Sequence, residues 1–208
     1  MKWIFFDLGA TLVDERECYK SRCEYASRQL QMDIAEFMEK VYAEARISAT
    51  PIRSVAKARG ITLPEWDHSL EKLYEDAPGV VAALYGKYKL GIIANQSAGT
   101  QERIDRWGIG KYFDVVIGSA EAGCAKPDPR IFTMALDKAK CSASDAVMIG
   151  DRLDNDIVPA KKLGMKTIWV RQGYAVYQKI DDESKRPDRI VDCIDELKLI
   201  GENIFENN

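Results

Sequence analysis

Apolar residues along this chain fall into two rhythms. Six short runs, rich in β-branched or aromatic side chains, end at small or polar residues: Trp3–Phe6, Leu90–Ile93, Val115–Ile117, Ala146–Ile149, Thr167–Val170 and Arg189–Val191. Continuous apolar runs of this length predict strands buried on both faces. Helix-length stretches separate the later runs, at Thr100–Trp107, Pro129–Ala139 and Asp154–Leu163, the last stopped by Gly164 in a C-cap position. Strands that alternate with helices predict an α/β fold, a parallel sheet carrying helices on both faces.

The stretch from about Val13 to Pro78 breaks that alternation. Ile34, Phe37, Met38, Val41, Tyr42 and Ala45 recur there at helical spacing, with no strand-like run. A helical insert after the first strand is predicted, divided by Pro51, Gly60 and Pro64 into about four helices, with Pro78-Gly79 marking the return to the α/β core. The expected organisation is a core of residues 1–13 and 79–208 and an all-helical domain of residues 14–78.

Composition narrows the function classes. With 30 basic against 33 acidic residues and a net charge of −3, the chain has no broad basic face for nucleic acid or anionic membrane, and a small-molecule partner is expected. No segment approaches the roughly 18 apolar residues of a bilayer span, and Asp7 interrupts the opening apolar run short of a signal-peptide core. Cys18, Cys23, Cys124, Cys141 and Cys193 are odd in number and lack a CxxC pattern, which suits reduced thiols and a cytoplasmic setting.

Ligands of open α/β sheets bind at the carboxyl ends of the strands. Those ends supply Asp7-Leu8-Gly9-Ala10-Thr11, Ala94-Asn95-Gln96-Ser97 and Gly150-Asp151 through Asp156, and a loop adds Lys126-Pro127-Asp128-Pro129. Each has a bland explanation alone, as a turn carboxylate, a helix-start acid or a solvated lysine. Together, Asp7 and Asp151 would offer Mg²⁺ two carboxylates, and a lysine beside them would hold an anionic substrate. That set suits phosphoryl transfer, where positioning and charge neutralisation dominate.

Phe5-Phe6-Asp7-Leu8-Gly9-Ala10-Thr11-Leu12 resembles the first motif of the haloacid dehalogenase superfamily, an Asp-x-Asp-Gly-Thr-Leu run after an apolar strand. Leu90 to Asn95 resembles the second motif, Lys126-Pro127-Asp128-Pro129 the third, and Val147 to Asp156 the fourth. The resemblance implies a Rossmann-like core with a small helical cap and a Mg²⁺-dependent hydrolase acting on a small phosphorylated metabolite. It assigns Asp7 as nucleophile and metal ligand, the Gly9 carbonyl and Asp151 as further ligands, and Asp156 as their support. Lys126 would orient Asp7 and the phosphate, and Thr11 and Asn95 would line the phosphate pocket.

Two departures weaken this pattern. Gly9 stands where family phosphatases carry a second aspartate, whose acid–base role contributes about 10²- to 10⁴-fold. Ala94 stands where a Ser or Thr usually bonds a phosphoryl oxygen. Glu15 or Glu17 could take over the proton transfers, and restoring an aspartate at position 9 is expected to raise activity. The alternatives are a module that binds a phosphorylated ligand without turnover, and a phosphonatase needing Lys20, Lys40, Lys57 or Lys72 for a Schiff base. A metal-free dehalogenase fits the acidic fourth motif poorly. His68 is expected to have a surface or packing role, and Trp66 and Tyr74 to pack the cap or cover substrate. Oligomeric state is not legible.

Overall fold

The structure, a computed structural model, describes residues 2–48 and 50–200. Six parallel strands form the main sheet: β1 (Trp3–Phe6), β4 (Lys89–Ala94), β5 (Val115–Gly118), β6 (Ala146–Gly150), β7 (Lys166–Val170) and β8 (Arg189–Val191). Their order is β5-β4-β1-β6-β7-β8, all neighbours parallel. The six apolar runs predicted these strands to within one residue at each end.

Alternation along β1 shows why it lies in the middle. Ile4 and Phe6 enter one core with Val80, Val81 and Leu84 of α4 (Ala77–Leu84) and Ile104 of α5 (Thr100–Arg106). Trp3 and Phe5 enter the opposite core with Ile131, Phe132 and Ala135 of α7 (Pro129–Ala139). A strand without a polar side chain can be satisfied only between two helical layers. The chain order reverses at β1, with β4 and β5 on one side and β6 to β8 on the other, which opens a crevice at its carboxyl end.

Between β1 and α4, helices α1 (Arg16–Leu30), α2 (Ile34–Glu44) and α3 (Pro51–Lys57) share their own cluster of Cys23, Ala26, Phe37, Val41, Ile52, Val55 and Ala56. Among the described residues the insert thus holds three α-helices rather than about four. Gln31, at φ 50°, ends α1, and Asp33 caps α2 by accepting from the Ala35 and Glu36 N–H groups. Beyond Gly60 the backbone runs without helix until a single 3₁₀ turn, His68–Leu70. A two-residue antiparallel ribbon, β2 (Val13–Asp14) with β3 (Lys72–Leu73), joins insert to core. It is too short to register as an apolar run.

Pro78-Gly79, read as the return to the core, lies in the first turn of α4, where proline has no helical hydrogen bond to lose. One local reading is corrected. The stretch Asp154–Leu163 is not one α-helix. It opens as a wide π-helical turn, Leu153–Ile157, with Ile157 N–H donating to the Arg152 carbonyl at 3.2 Å, and continues as α8 (Val158–Lys162). Pro159 cannot donate to Asn155 as an ordinary α-helix would require, and such turns recur at functional sites.

Candidate active site

The register of β1, β4 and β6 sets the site. Phe6 lies opposite both Ile92 and Ile149, and the Asp7 N–H donates to the Ile149 carbonyl at 2.8 Å. Asp7 therefore emerges where the central strand ends, beside Gly150 and Asp151. Its Oδ1 accepts from the Leu8 N–H at 2.7 Å. Gly150 has a spatial reason: a Cβ there would lie 2.4 Å from Asp156 Cγ. With that space open, the wide turn carries Asp156 back over the strand end, where its Oδ2 accepts from the Arg152 N–H at 2.9 Å.

Lys126 joins these acids. Its Nζ reaches Asp7 Oδ1 at 2.8 Å and Asp156 Oδ1 at 2.6 Å, and its side chain is buried. Burial alone would lower the ammonium's pKa, but the Asp156 and Asp7 charges outweigh it and hold that pKa above the ordinary lysine value. Burial raises Asp156 to about 6, with Lys126 opposing, and it raises Asp151 well above the usual carboxylate range, reinforced by Asp156 and Asp7.

Carboxylate oxygens of Asp7, Asp151 and Asp156 lie within 4.8 Å of one another. One lysine cannot neutralise three acids. Among the described residues the Gly9 carbonyl accepts no hydrogen bond. Hard oxygen donors with surplus negative charge fit a divalent cation such as Mg²⁺.

The two expected phosphate-pocket residues are placed differently. Asn95 lines the cavity, but its side chain is engaged: Nδ2 donates to the Lys126 carbonyl at 2.9 Å, and Oδ1 accepts from the Lys126 N–H at 2.7 Å. It fixes the backbone that aims Lys126. Thr11 is fully buried outside the cavity lining, and its hydroxyl has no partner among the described residues.

The gap left by Gly9 is filled. A Cβ on Gly9 would stand 2.5 Å from Glu15 Oε1 and 2.9 Å from Glu15 Cδ, so the Glu15 carboxyl occupies the space of the absent aspartate side chain. Glu15 precedes the first turn of α1 and accepts a hydrogen bond from the Tyr19 hydroxyl one turn later. Burial pushes its pKa to about 8; the Tyr19 bond opposes this, and the Asp7 charge adds to it. An aspartate at position 9 would have to displace the Glu15 carboxyl from the space it fills, so the gain expected from that substitution alone does not follow from this geometry.

These groups open into a cavity of about 380 Å³. Glu15, Tyr19, Arg22, Arg53, Trp66 and His68 line it from the insert. His68, expected in a surface or packing role, is half-buried at the cavity wall, its two ring nitrogens 3.0 Å from Glu71 Oε1 and 2.7 Å from Ser97 Oγ, linking insert to core. Trp66 lines the cavity whereas Tyr74 packs against the core. None of Lys20, Lys40, Lys57 or Lys72 is among the described residues that line this cavity, and Lys57 lines the groove beside it.

Residues 4–170 match the model of the haloacid dehalogenase-like hydrolase family. The chain belongs to that family and is a phosphatase-type hydrolase. It is 32% identical over 205 residues to the glyceraldehyde 3-phosphate phosphatase of Pyrococcus abyssi, covering 83% of this chain and 82% of the relative. It is also 32% identical over 138 residues to the pyrimidine 5′-nucleotidase YjjG of Escherichia coli, covering 64% and 60%. The crystal structure of a HAD phosphatase from Thermococcus onnurineus shares the fold, with TM-score 0.67, 23% identity and coverage of 96% and 97%. So does magnesium-bound YfnB from Bacillus subtilis, with TM-score 0.68, 19% identity and coverage of 97% and 98%. Among the described residues, no helix is long and apolar enough to cross a membrane, and all five cysteines are free.

Proposed function

We propose that this protein hydrolyses a small phosphorylated metabolite through an aspartyl phosphate at Asp7. The observation that carries the reading is the meeting of Asp7, Lys126, Asp151 and Asp156 at the carboxyl end of the central strand, open to a cavity sized for a metabolite. The core of residues 1–13 and 79–208 holds the nucleophile, Lys126 and the metal ligands, and residues 14–78 act as the cap that covers them and supplies Glu15. The names of the phosphatase relatives support a phosphorylated substrate.

Mg²⁺ held by Asp7, Asp151 and the Gly9 carbonyl, with Asp156 as support, would offset the negative charge shared by the phosphoryl oxygens and the Asp7 carboxylate as they approach. Lys126 adds the second positive charge and fixes Asp7 by its short ion pair. One Asp7 oxygen attacks phosphorus, the ester P–O bond breaks, and the leaving oxygen takes the Glu15 proton. Glu15 then accepts a proton from the water that attacks the same phosphorus, and the bond to Asp7 breaks to release phosphate. Glu15 thus replaces the family's second aspartate from the insert rather than from the strand end.

A turnover assay with Mg²⁺ on small phosphate monoesters tests the reading. Turnover is expected in the wild type and at least tenfold less in Asp7→Asn, because an amide is a poor nucleophile. Equal turnover in the two proteins would remove Asp7 from its role. Binding without turnover by every ester tried would favour a module that only binds its ligand.

A further inference from the structure

The cavity is asymmetric in charge. At the strand ends, acids outnumber the bases available to them. Arg152 lies there too, but Asp154 neutralises it through bonds of 3.0 Å from both Nε and Nη2. On the insert side, Arg22 from α1 and Arg53 from α3 line the cavity, and neither forms an ion pair with a carboxylate among the described residues.

Their surroundings are costly for two cations. The Arg22 guanidinium lies over the Trp66 ring at 4.8 Å, and its Nη2 donates to the Pro64 carbonyl at 2.8 Å. Its Nε is buried without a hydrogen-bond partner. Burial, and then the Arg53 charge, push the Arg22 pKa below the usual arginine value. Arg53 makes no hydrogen bond and no ion pair among the described residues. Arg22 and Arg53 also line an adjoining groove with Lys57 and a single acid, Glu65. An arginine held on an aromatic face, with a buried donor unspent and a second arginine close by, is arranged for an anion.

We propose that Arg22 and Arg53 bind a second anionic group of the substrate, a carboxylate or a phosphate separate from the phosphoryl group that is cleaved. This rests on the hydrolase reading, and it narrows the substrate to small monoesters that carry two anionic ends. Lys126, with the cation that the acids of the strand ends would hold, takes the reacting phosphate. The arginine pair takes the other end, so binding energy from the unreactive end orients the ester over Asp7. A monoester with a neutral tail leaves both arginines without a counter-charge.

The test uses alkyl phosphates of three to five carbons, each plain, with a terminal carboxylate, or with a second phosphate. In the full-length wild type with Mg²⁺, one of the doubly anionic series is expected to exceed its plain partner in kcat/KM by about tenfold or more. Whether the carboxylate or the phosphate series gains identifies which anion the pair takes. Arg53→Ala should bring that ratio toward one, and Arg53→Lys should keep part of it. Arg53 is the residue to change because it is exposed and unbonded, so its loss does not threaten folding. Calorimetric binding of the same compounds to Asp7→Asn and to Asp7→Asn/Arg53→Ala separates the two readings. Arginine-dependent preference in binding without wild-type turnover would overturn the hydrolase reading and leave the anion site. Turnover with a ratio near one, or a ratio that Arg53→Ala does not change, would overturn the anion site and leave the hydrolase.

Discussion

Moving the proton-transfer carboxyl from one element to another would test the claim that Glu15 serves the vacancy at Gly9. Glu15→Ala removes the group whose Oε1 lies 2.5 Å from the position of a Gly9 Cβ. If that carboxyl protonates the leaving oxygen and then activates water, its loss should lower kcat/KM for an alkyl phosphate by about 10²- to 10⁴-fold, or roughly 3–5 kcal/mol. Nitrophenolate leaves without a proton, so p-nitrophenyl phosphate should lose less. Gly9→Asp alone should not gain, since the new side chain enters space that Glu15 fills. Gly9→Asp/Glu15→Ala vacates that space and supplies a carboxylate from the strand end, and should recover about tenfold of the loss, 1.4 kcal/mol. Melting temperatures of all three variants control for folding. Glu15→Ala with undiminished alkyl phosphate turnover would refute the assignment, as would a double variant, folded and binding Mg²⁺, no better than Glu15→Ala.

The acidic cluster predicts Mg²⁺ binding that calorimetry should detect in the wild type and find at least tenfold weaker in Asp151→Asn, since a carbonyl oxygen replaces a charged donor; equal affinities would exclude Asp151 as a ligand. Lys126→Met leaves buried Asp156 and half-buried Asp7 without their cation and should cost about 3–5 kcal/mol in metal-free urea unfolding, part of it regained with Mg²⁺. Glu15 is raised from 4.5 to about 8, so the folded state holds its proton more tightly than the unfolded chain. The resulting stability is full below pH 4.5 and is lost as pH rises through about 8, with an upper bound of about 5 kcal/mol. Unfolding of the metal-free protein between pH 5 and 9 should show that decline, flattened in Glu15→Gln; identical profiles would refute it.

The strands were legible because a parallel sheet covered on both sides leaves continuous apolar runs, and Pro129–Ala139 because Asp128 and Pro129 mark its start. Asp7, Lys126, Asp151 and Asp156 were legible from their positions at strand and loop ends. What the sequence hid depends on chain packing. Asn95 has the right position for a phosphate contact, but nothing local shows that its amide pairs with a backbone 31 residues away. Thr11 follows the motif but turns into the core. Glu15, with Tyr19 four residues on, looks like an ordinary pair on a helix until the close approach to Gly9 is known. Arg22 and Arg53 lie on different helices, and only the fold of the insert unites them. The break at Gln31 carries no glycine or proline, so nothing local marked it.

The most direct test of the central claim is chemical capture of the intermediate. Full-length protein turning over p-nitrophenyl phosphate with Mg²⁺ is quenched in acid, reduced with borohydride and digested, and the peptide containing residue 7 is read by mass spectrometry. An aspartyl phosphate is reduced to homoserine, so homoserine is expected at position 7, more of it in Glu15→Ala if that variant slows the second step more than the first, and none in Asp7→Asn. Turnover with an unmodified Asp7, or homoserine at another acid instead, would contradict the account.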